Sequence, residues 1–176
     1  MGELQDRRAL VTGGGRGIGR DIALALAAAG ADVAVLARTR DEVERVAAEI
    51  AATGSRSLAL TADQANPQAV DSAVACIDAA WGGVDILVNN AGVLGPVGRS
   101  HEVDPEAWLE TLRINAGGCF LCCRAVLPGM IARGHGRIIN LSGGGAVSPR
   151  PRFSAYGASK AAIVRFTETL AEEVAE

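Results

Sequence analysis

The sequence predicts an α/β fold: a doubly wound parallel sheet with helices on each side. Short apolar runs alternate with helical stretches along the whole chain. The runs are apolar throughout rather than alternating with polar residues, which points to strands buried on both faces. The first run breaks into a cluster of glycines that opens an alanine-rich helix. At 176 residues the chain suits one domain, residues 1–176, with a sizeable core. It contains no linker, internal repeat or low-complexity segment.

The first strand is read at Ala9–Val11, and five glycines (13, 14, 15, 17 and 19) follow Thr12. Helical pattern then runs from Ile18 to Ala29. Strand, glycine turn and helix together hold a pyrophosphate. Glycines let the backbone approach the phosphates, and the free N–H groups of the helix start favour the anion. The spacing Gly13-x-x-x-Gly17-x-Gly19 departs from the strict G-x-G-x-x-G fingerprint, and no G-K-[ST] follows to make a Walker loop. Gly13, Gly15, Arg16, Gly17, Ile18 and Gly19 are thus candidate cofactor contacts.

The second strand is expected at Val33–Ala37 and the second helix at Asp41–Ala52. In such a sheet the end of the second strand meets the adenosine ribose, where an acidic residue binds the 2′-hydroxyl of NAD. Here the strand ends in Ala37-Arg38, without a carboxylate, and Arg16 adds a second cation in the glycine turn. Guanidinium groups suit a 2′-phosphate, so NADP(H) is expected over NAD(H). After a third strand at Leu58–Leu60, Asp63 and Gln64 are placed to meet the adenine edge, although Asp63 equally suits a helix cap. Asn66-Pro67 opens the helix Gln68–Ala80, with a capping side chain and proline at the first helical position.

The fourth strand, Ile86–Val88, ends in Asn89-Asn90-Ala91-Gly92. Small residues there permit close backbone approach to a cofactor, and asparagine amides can tie neighbouring strands together. Asp104-Pro105 starts a long helix reaching about Ala132. The fifth strand is expected at Arg137–Leu141 and the last helix from Ser154 to Glu176. On that helix Tyr156 and Lys160 stand at i and i+4, one above the other. A phenol is a poor acid near neutrality, and an adjacent cation stabilises its phenolate. The pair follows the fifth strand, on the carboxyl-end side where open parallel sheets bind ligands.

Composition excludes several classes. A net charge of −3 argues against nucleic acid as the partner. No apolar run appears long enough to span a membrane, and the start lacks a signal-peptide core, so no membrane role and a cytoplasmic location are expected. Cys119, Cys122 and Cys123 share one helix face, where reduced cysteine behaves as a small apolar residue. His101 and His135 lack ligand-spaced partners, so no metal site is expected.

Taken together, Thr12–Gly19, Asn89–Gly92, Asn115 and the Tyr156–Lys160 pair resemble the motifs of the short-chain dehydrogenase/reductase family. The chain is broadly similar to its 3-oxoacyl-[acyl-carrier-protein] reductase-like members. The resemblance implies a Rossmann fold and reversible hydride transfer between nicotinamide and a small-molecule ketone or secondary alcohol. It implies that Tyr156 protonates the carbonyl oxygen. Lys160 would ease that ionisation and bind the nicotinamide ribose, and Asn115 would support a proton-relay water. It also implies a homo-oligomer formed through the two long helices. Tyr156, Lys160, Asn89, Ala91 and Gly92 would touch the cofactor.

Two departures stand out. The family's usual catalytic serine position, counted back from Tyr156, falls on Gly143, one residue after Ser142. Adjacent residues of a strand face opposite sides. Either the glycine-rich segment bulges so that Ser142 reaches the substrate, or the position lacks a hydroxyl. In addition, family members continue past the tyrosine-lysine helix into last strands and a substrate lid. These 176 residues are therefore expected to be C-terminally truncated relative to the family, as a fragment or a naturally short relative. The alternative to an enzyme is a dinucleotide-binding or self-associating module without turnover.

Overall fold

A computed structural model of the chain describes residues 2–175. Among these residues five strands form one sheet: β1 (Arg8–Thr12), β2 (Asp32–Ala37), β3 (Ser57–Thr61), β4 (Ile86–Asn89) and β5 (Arg137–Asn140), in the order β3-β2-β1-β4-β5. β1 pairs in parallel with β2 and with β4, and β2 with β3. The chain first winds outward through β2 and β3, then returns to β4 on the other side of β1. Strand order therefore reverses between β1 and β4, and the crevice past their carboxyl ends is where such sheets receive ligands.

Among the described residues, six α-helices accompany the strands: α1 (Gly17–Ala28), α2 (Arg40–Ala51), α3 (Pro67–Trp81), α4 (Pro105–Leu112), α5 (Gly118–Arg133) and α6 (Ser154–Glu173). The chain forms two compact units. One takes in the residues up to Ala91 together with Leu121–Ile139, and the other Gly92–Phe120 together with the chain from Asn140 onward.

The first unit carries the sheet core. Leu10, Val11, Val33, Val35, Leu36 and Leu87 are at most 1% exposed; each such side chain contributes roughly 1.5–3 kcal/mol on burial. α2 buries Val43, Val46, Ala47 and Ile50, and α3 buries Val70, Ala73, Val74 and Ile77. Both sets follow the i, i+3, i+4, i+7 spacing of a single helix stripe. Burial on both faces holds for β1, β2 and β4, whereas β3 and β5 are half-exposed edges.

At the opposite end of β1 and β4 from the crevice, Asp85 ties the strands together. It accepts hydrogen bonds from the Arg8 backbone at 3.0 Å, Arg8 Nε at 2.8 Å and Arg8 Nη2 at 2.7 Å, and pairs with His135 Nε2 at 3.0 Å. Burial opposes ionisation of Asp85, but the Arg8 hydrogen bonds and charge outweigh it and hold the carboxyl at about 2.

In the second unit α4 packs on α6, and Trp108 Nε1 donates to Ser154 Oγ at 3.1 Å. Asp104 caps α4 as expected, accepting from the Ala107 N–H at 2.8 Å. Between α4 and α5 the backbone widens into a π-helical segment, Arg113–Gly117, where the sequence pattern predicts regular helix.

Three further expectations are corrected. The helix from Pro105 to Arg133 is continuous over 29 residues and apolar enough to cross a membrane by length and composition, where no such run was expected. The last helix stops at Glu173, and Glu176 lies outside the described residues. Asp63 does not cap α3: it accepts from the Ala65 N–H at 2.9 Å and closes the preceding turn, while Asn66 is the cap as expected, accepting from the Ala69 N–H at 3.2 Å.

Candidate active site

In the first unit, the glycine turn is held against the end of β4. Thr12 Oγ1 accepts the N–H groups of Asn90 at 3.2 Å and Ala91 at 3.1 Å. In return, Asn90 Nδ2 donates to the carbonyls of Thr12 at 3.0 Å and Gly13 at 3.3 Å. Of the two asparagines it is thus Asn90 that ties the strands, while Asn89 Nδ2 donates to Cys123 Sγ at 3.2 Å. Gly13 has a left-handed φ of +64°. A Cβ on Gly19 would run into the Gly13 carbonyl and the Asn90 amide, so only glycine lets α1 approach β1 this closely.

The start of α1 has no side-chain cap and no acidic residue in its first turn. Its N–H groups and positive dipole end follow a turn in which Gly13, Gly14 and Gly15 carry no side chains, which fits a pyrophosphate. Ile18, beside this turn, is 69% exposed. Gln64, 5% exposed, donates from Nε2 to the Ala91 carbonyl at 3.2 Å, so Gln64 and Ala91 stand together.

Both cations that the sequence offers for the ribose are surface groups. Arg38 is exposed just past β2, and Arg16 is 82% exposed. The sequence reading missed Glu42, whose carboxylate lies 4.0 Å from Arg16 Nε and whose Cβ sits against Gly15. Its position in the first turn of α2 is the signal that would have raised it.

The second unit gathers Gly92, Asn115, Tyr156 and Lys160. Asn115 is fully buried on the π-helical segment. Its Oδ1 accepts the Val93 N–H at 2.8 Å, and its Nδ2 donates to the Val93 carbonyl and to Ser159 Oγ, both at 2.9 Å. Ser159 Oγ donates onward to the Tyr156 carbonyl at 2.8 Å. A buried polar chain therefore fixes the first turns of α6. Ser159 was not singled out from sequence, although its place three residues after Tyr156 put it on the same face. The extra residue of a π turn, a common feature of functional sites, supplies the rotation that aims Asn115 inward.

Lys160 is 5% exposed. Its Nζ donates to the Leu141 carbonyl at 2.7 Å and lies 5.7 Å from the centre of the Tyr156 ring. Burial lowers the pKa of this ammonium, partly offset by the neighbouring Cys119 thiol. A Cβ on Gly92 would lie 3.2 Å from Asn115 Oδ1 and 3.8 Å from Lys160 Nζ. Cys122 is a buried thiol pushed up to about 12 by desolvation, which makes it inert and agrees with the apolar reading of the cysteine face.

A Cβ on Gly143 would lie 2.5 Å from the Tyr156 hydroxyl oxygen, so this position faces the phenol. Ser142 is exposed and makes no side-chain hydrogen bond among the described residues.

Residues 7–176 match the family model described as short chain dehydrogenase. A short chain dehydrogenase of Pseudocercospora fijiensis is 42% identical over 176 residues, covering 99% of this chain and 57% of that protein. A 3-oxoacyl-[acyl-carrier-protein] reductase of Synechocystis sp. is 38% identical, covering 99% of this chain and 71% of its own length. Among solved structures, NAD+-bound xylitol dehydrogenase superposes with a TM-score of 0.96 at 33% identity, covering 98% of this chain and 66% of that one. A metagenomic short-chain oxidoreductase in complex with NADP gives 0.92 at 36% identity, with 97% and 77% covered. The chain thus spans little more than half the length of the Pseudocercospora fijiensis relative and about two thirds of xylitol dehydrogenase. A match that starts at Arg7 and runs through the glycine turn, the parallel sheet and the Tyr156–Lys160 helix makes this chain a member of the short chain dehydrogenase family.

Proposed function

We propose that this protein is an oxidoreductase that moves a hydride between NADP(H) and a small ketone or secondary alcohol, with Tyr156 as the proton donor and acceptor. The observation that carries the reading is the buried Lys160 ammonium, anchored on the Leu141 carbonyl and set against the Tyr156 ring. Bound nicotinamide supplies the hydride in reduction and accepts it in oxidation. In reduction, the Tyr156 hydroxyl hydrogen-bonds the carbonyl oxygen and gives up its proton as that oxygen gains charge. The phenolate left behind is stabilised by the Lys160 ammonium. In oxidation the same phenolate takes the alcohol proton. Ser159 and Asn115 act through the backbone, keeping α6 and the Val93 segment in register. Gly143 presents no hydroxyl to the substrate, so the reading assigns the proton to Tyr156 without a serine at that position.

The preference for NADP(H) rests on Arg38, which has no carboxylate partner among the described residues, and on Arg16. Arg16 would exchange Glu42 for the 2′-phosphate. Gly13, Gly15, Gly17, Ile18 and Gly19 would line the pyrophosphate, with Asp63, Gln64, Asn89 and Ala91 toward the adenine and nicotinamide sides. We further propose a cytoplasmic homo-oligomer. Its contact face would include α5 and α6, where Phe120 is 48% exposed and meets Phe166 edge-on at 6.0 Å. The test is to mix the complete protein with NADPH and a panel of ketones and follow nicotinamide absorbance. Cofactor binding without oxidation of NADPH by any ketone would overturn the reading in favour of a binding module.

A further inference from the structure

We infer that Arg150 is a specificity residue, and that the carbonyl compound reduced at Tyr156 carries an oxoanion, a carboxylate or phosphate, which the Arg150 guanidinium receives. The inference rests on the reading of Tyr156 as proton donor. The guanidinium carbon lies 4.2 Å from the centre of the Phe153 ring and 5.8 Å from that of Tyr156. One cation thus spans two aromatic rings, one of them the reacting phenol. The residue is flanked by Pro149 and Pro151, whose fixed φ angles limit the freedom of the loop. Backbone bonds restrain it further: the Phe153 N–H donates to the Arg150 carbonyl at 3.1 Å, and the Gly98 N–H to the Arg152 carbonyl at 2.9 Å. Arg150 is exposed, but its backbone is held by these bonds and its guanidinium rests on two rings, which lowers the entropic cost of using it.

Charge around Tyr156 is one-sided. Lys160 approaches its ring to 5.7 Å and is bonded to a neutral carbonyl. Among the described residues, neither Lys160 nor Arg150 forms an ion pair with a carboxylate, whereas Arg8, Arg20, Arg56, Arg113, Arg124 and Arg165 all do. A guanidinium fork held open at the catalytic phenol matches the two oxygens of a carboxylate or phosphate.

The experiment uses the complete protein and two substrate pairs that differ in charge: acetoacetate against methyl acetoacetate, and dihydroxyacetone phosphate against dihydroxyacetone. The expected result is at least a tenfold higher kcat/KM for the anionic member of one pair, and the responding pair tells carboxylate from phosphate. Arg150→Gln should then lower kcat/KM for that anion about 10- to 100-fold, mainly through KM, with a loss on the neutral member at least tenfold smaller. Equal use of charged and neutral members, or an Arg150→Gln loss shared equally by both, overturns the inference while leaving the proposed reaction standing. Turnover of neither pair, nor of any other ketone, overturns the proposed reaction itself and this inference with it.

Discussion

Replacing Gly143 by alanine puts the geometry of the reacting phenol to a quantitative test. The added Cβ would lie 2.5 Å from the Tyr156 hydroxyl oxygen, 3.1 Å from Cζ and 3.2 Å from Cε1, and ordinary contact begins near 3.4 Å. The phenol must therefore retreat by about 0.9 Å. The helix under it cannot follow easily, because Ala155, Ser159 and Lys160 are all buried and the Ser159–Asn115 hydrogen bond pins the turn. A displacement of about 1 Å in a catalytic group costs on the order of a hundredfold in rate, or about 2.7 kcal/mol of barrier. The assay is kcat for Gly143→Ala with cofactor and ketone saturating, and NADPH affinity measured in parallel. A loss near a hundredfold, with affinity within about twofold, is expected. Ser142→Ala provides the counterpart. Its hydroxyl is exposed and unbonded, so the rate should change by less than about threefold. Full activity in Gly143→Ala, or an equally large loss in Ser142→Ala, would refute the reasoning.

Two other predictions concern the cofactor and acid stability. NADPH should bind more tightly than NADH, with the gap narrowing in Arg38→Ala; because Arg16 is so exposed, each contact adds only about 0.2–1 kcal/mol. Glu42→Gln should improve NADPH affinity by about two- to fivefold by freeing Arg16, and equal affinity of the unaltered protein for both cofactors would sink the assignment. Asp85 titrates at about 2 in the folded chain against 3.8 ordinarily. Because the folded pKa is depressed, its stabilisation is complete above about pH 4 and is lost as pH falls toward 2, for a total of about 2 kcal/mol. Urea unfolding of Asp85→Asn at several pH values should show that this increment is gone, and an unchanged slope of stability against pH would contradict the network.

Much of this was legible in the sequence because the signals were local. The five strands and the helix starts fall within a residue or two of expectation, since apolar runs, glycine turns and Asn-Pro or Asp-Pro caps act on neighbouring residues. The Tyr156–Lys160 stack follows from helical periodicity alone. What escaped depends on partners far apart in the chain. Glu42 reaches Arg16 only because α2 folds back beside the glycine turn, and Asp85 gathers Arg8 and His135 from two other segments. The π-helical turn at Asn115 has no propensity signature, because its extra residue is stabilised by the Val93 and Ser159 hydrogen bonds rather than by local preference. The direction of Gly143 was undecidable from spacing, since a glycine-rich strand end can shift register by one residue at little cost.

The central claim, that Tyr156 carries the proton in a hydride transfer, is tested most directly by Tyr156→Phe in the complete protein. Turnover of a ketone the unaltered protein reduces should be measured alongside NADPH affinity. The substitution keeps the ring, and with it the contacts to Lys160 and Arg150, while removing only the hydroxyl. A loss of about a hundred- to ten-thousandfold in kcat with affinity little changed is the expected result. Retention of full turnover in Tyr156→Phe would contradict the mechanism.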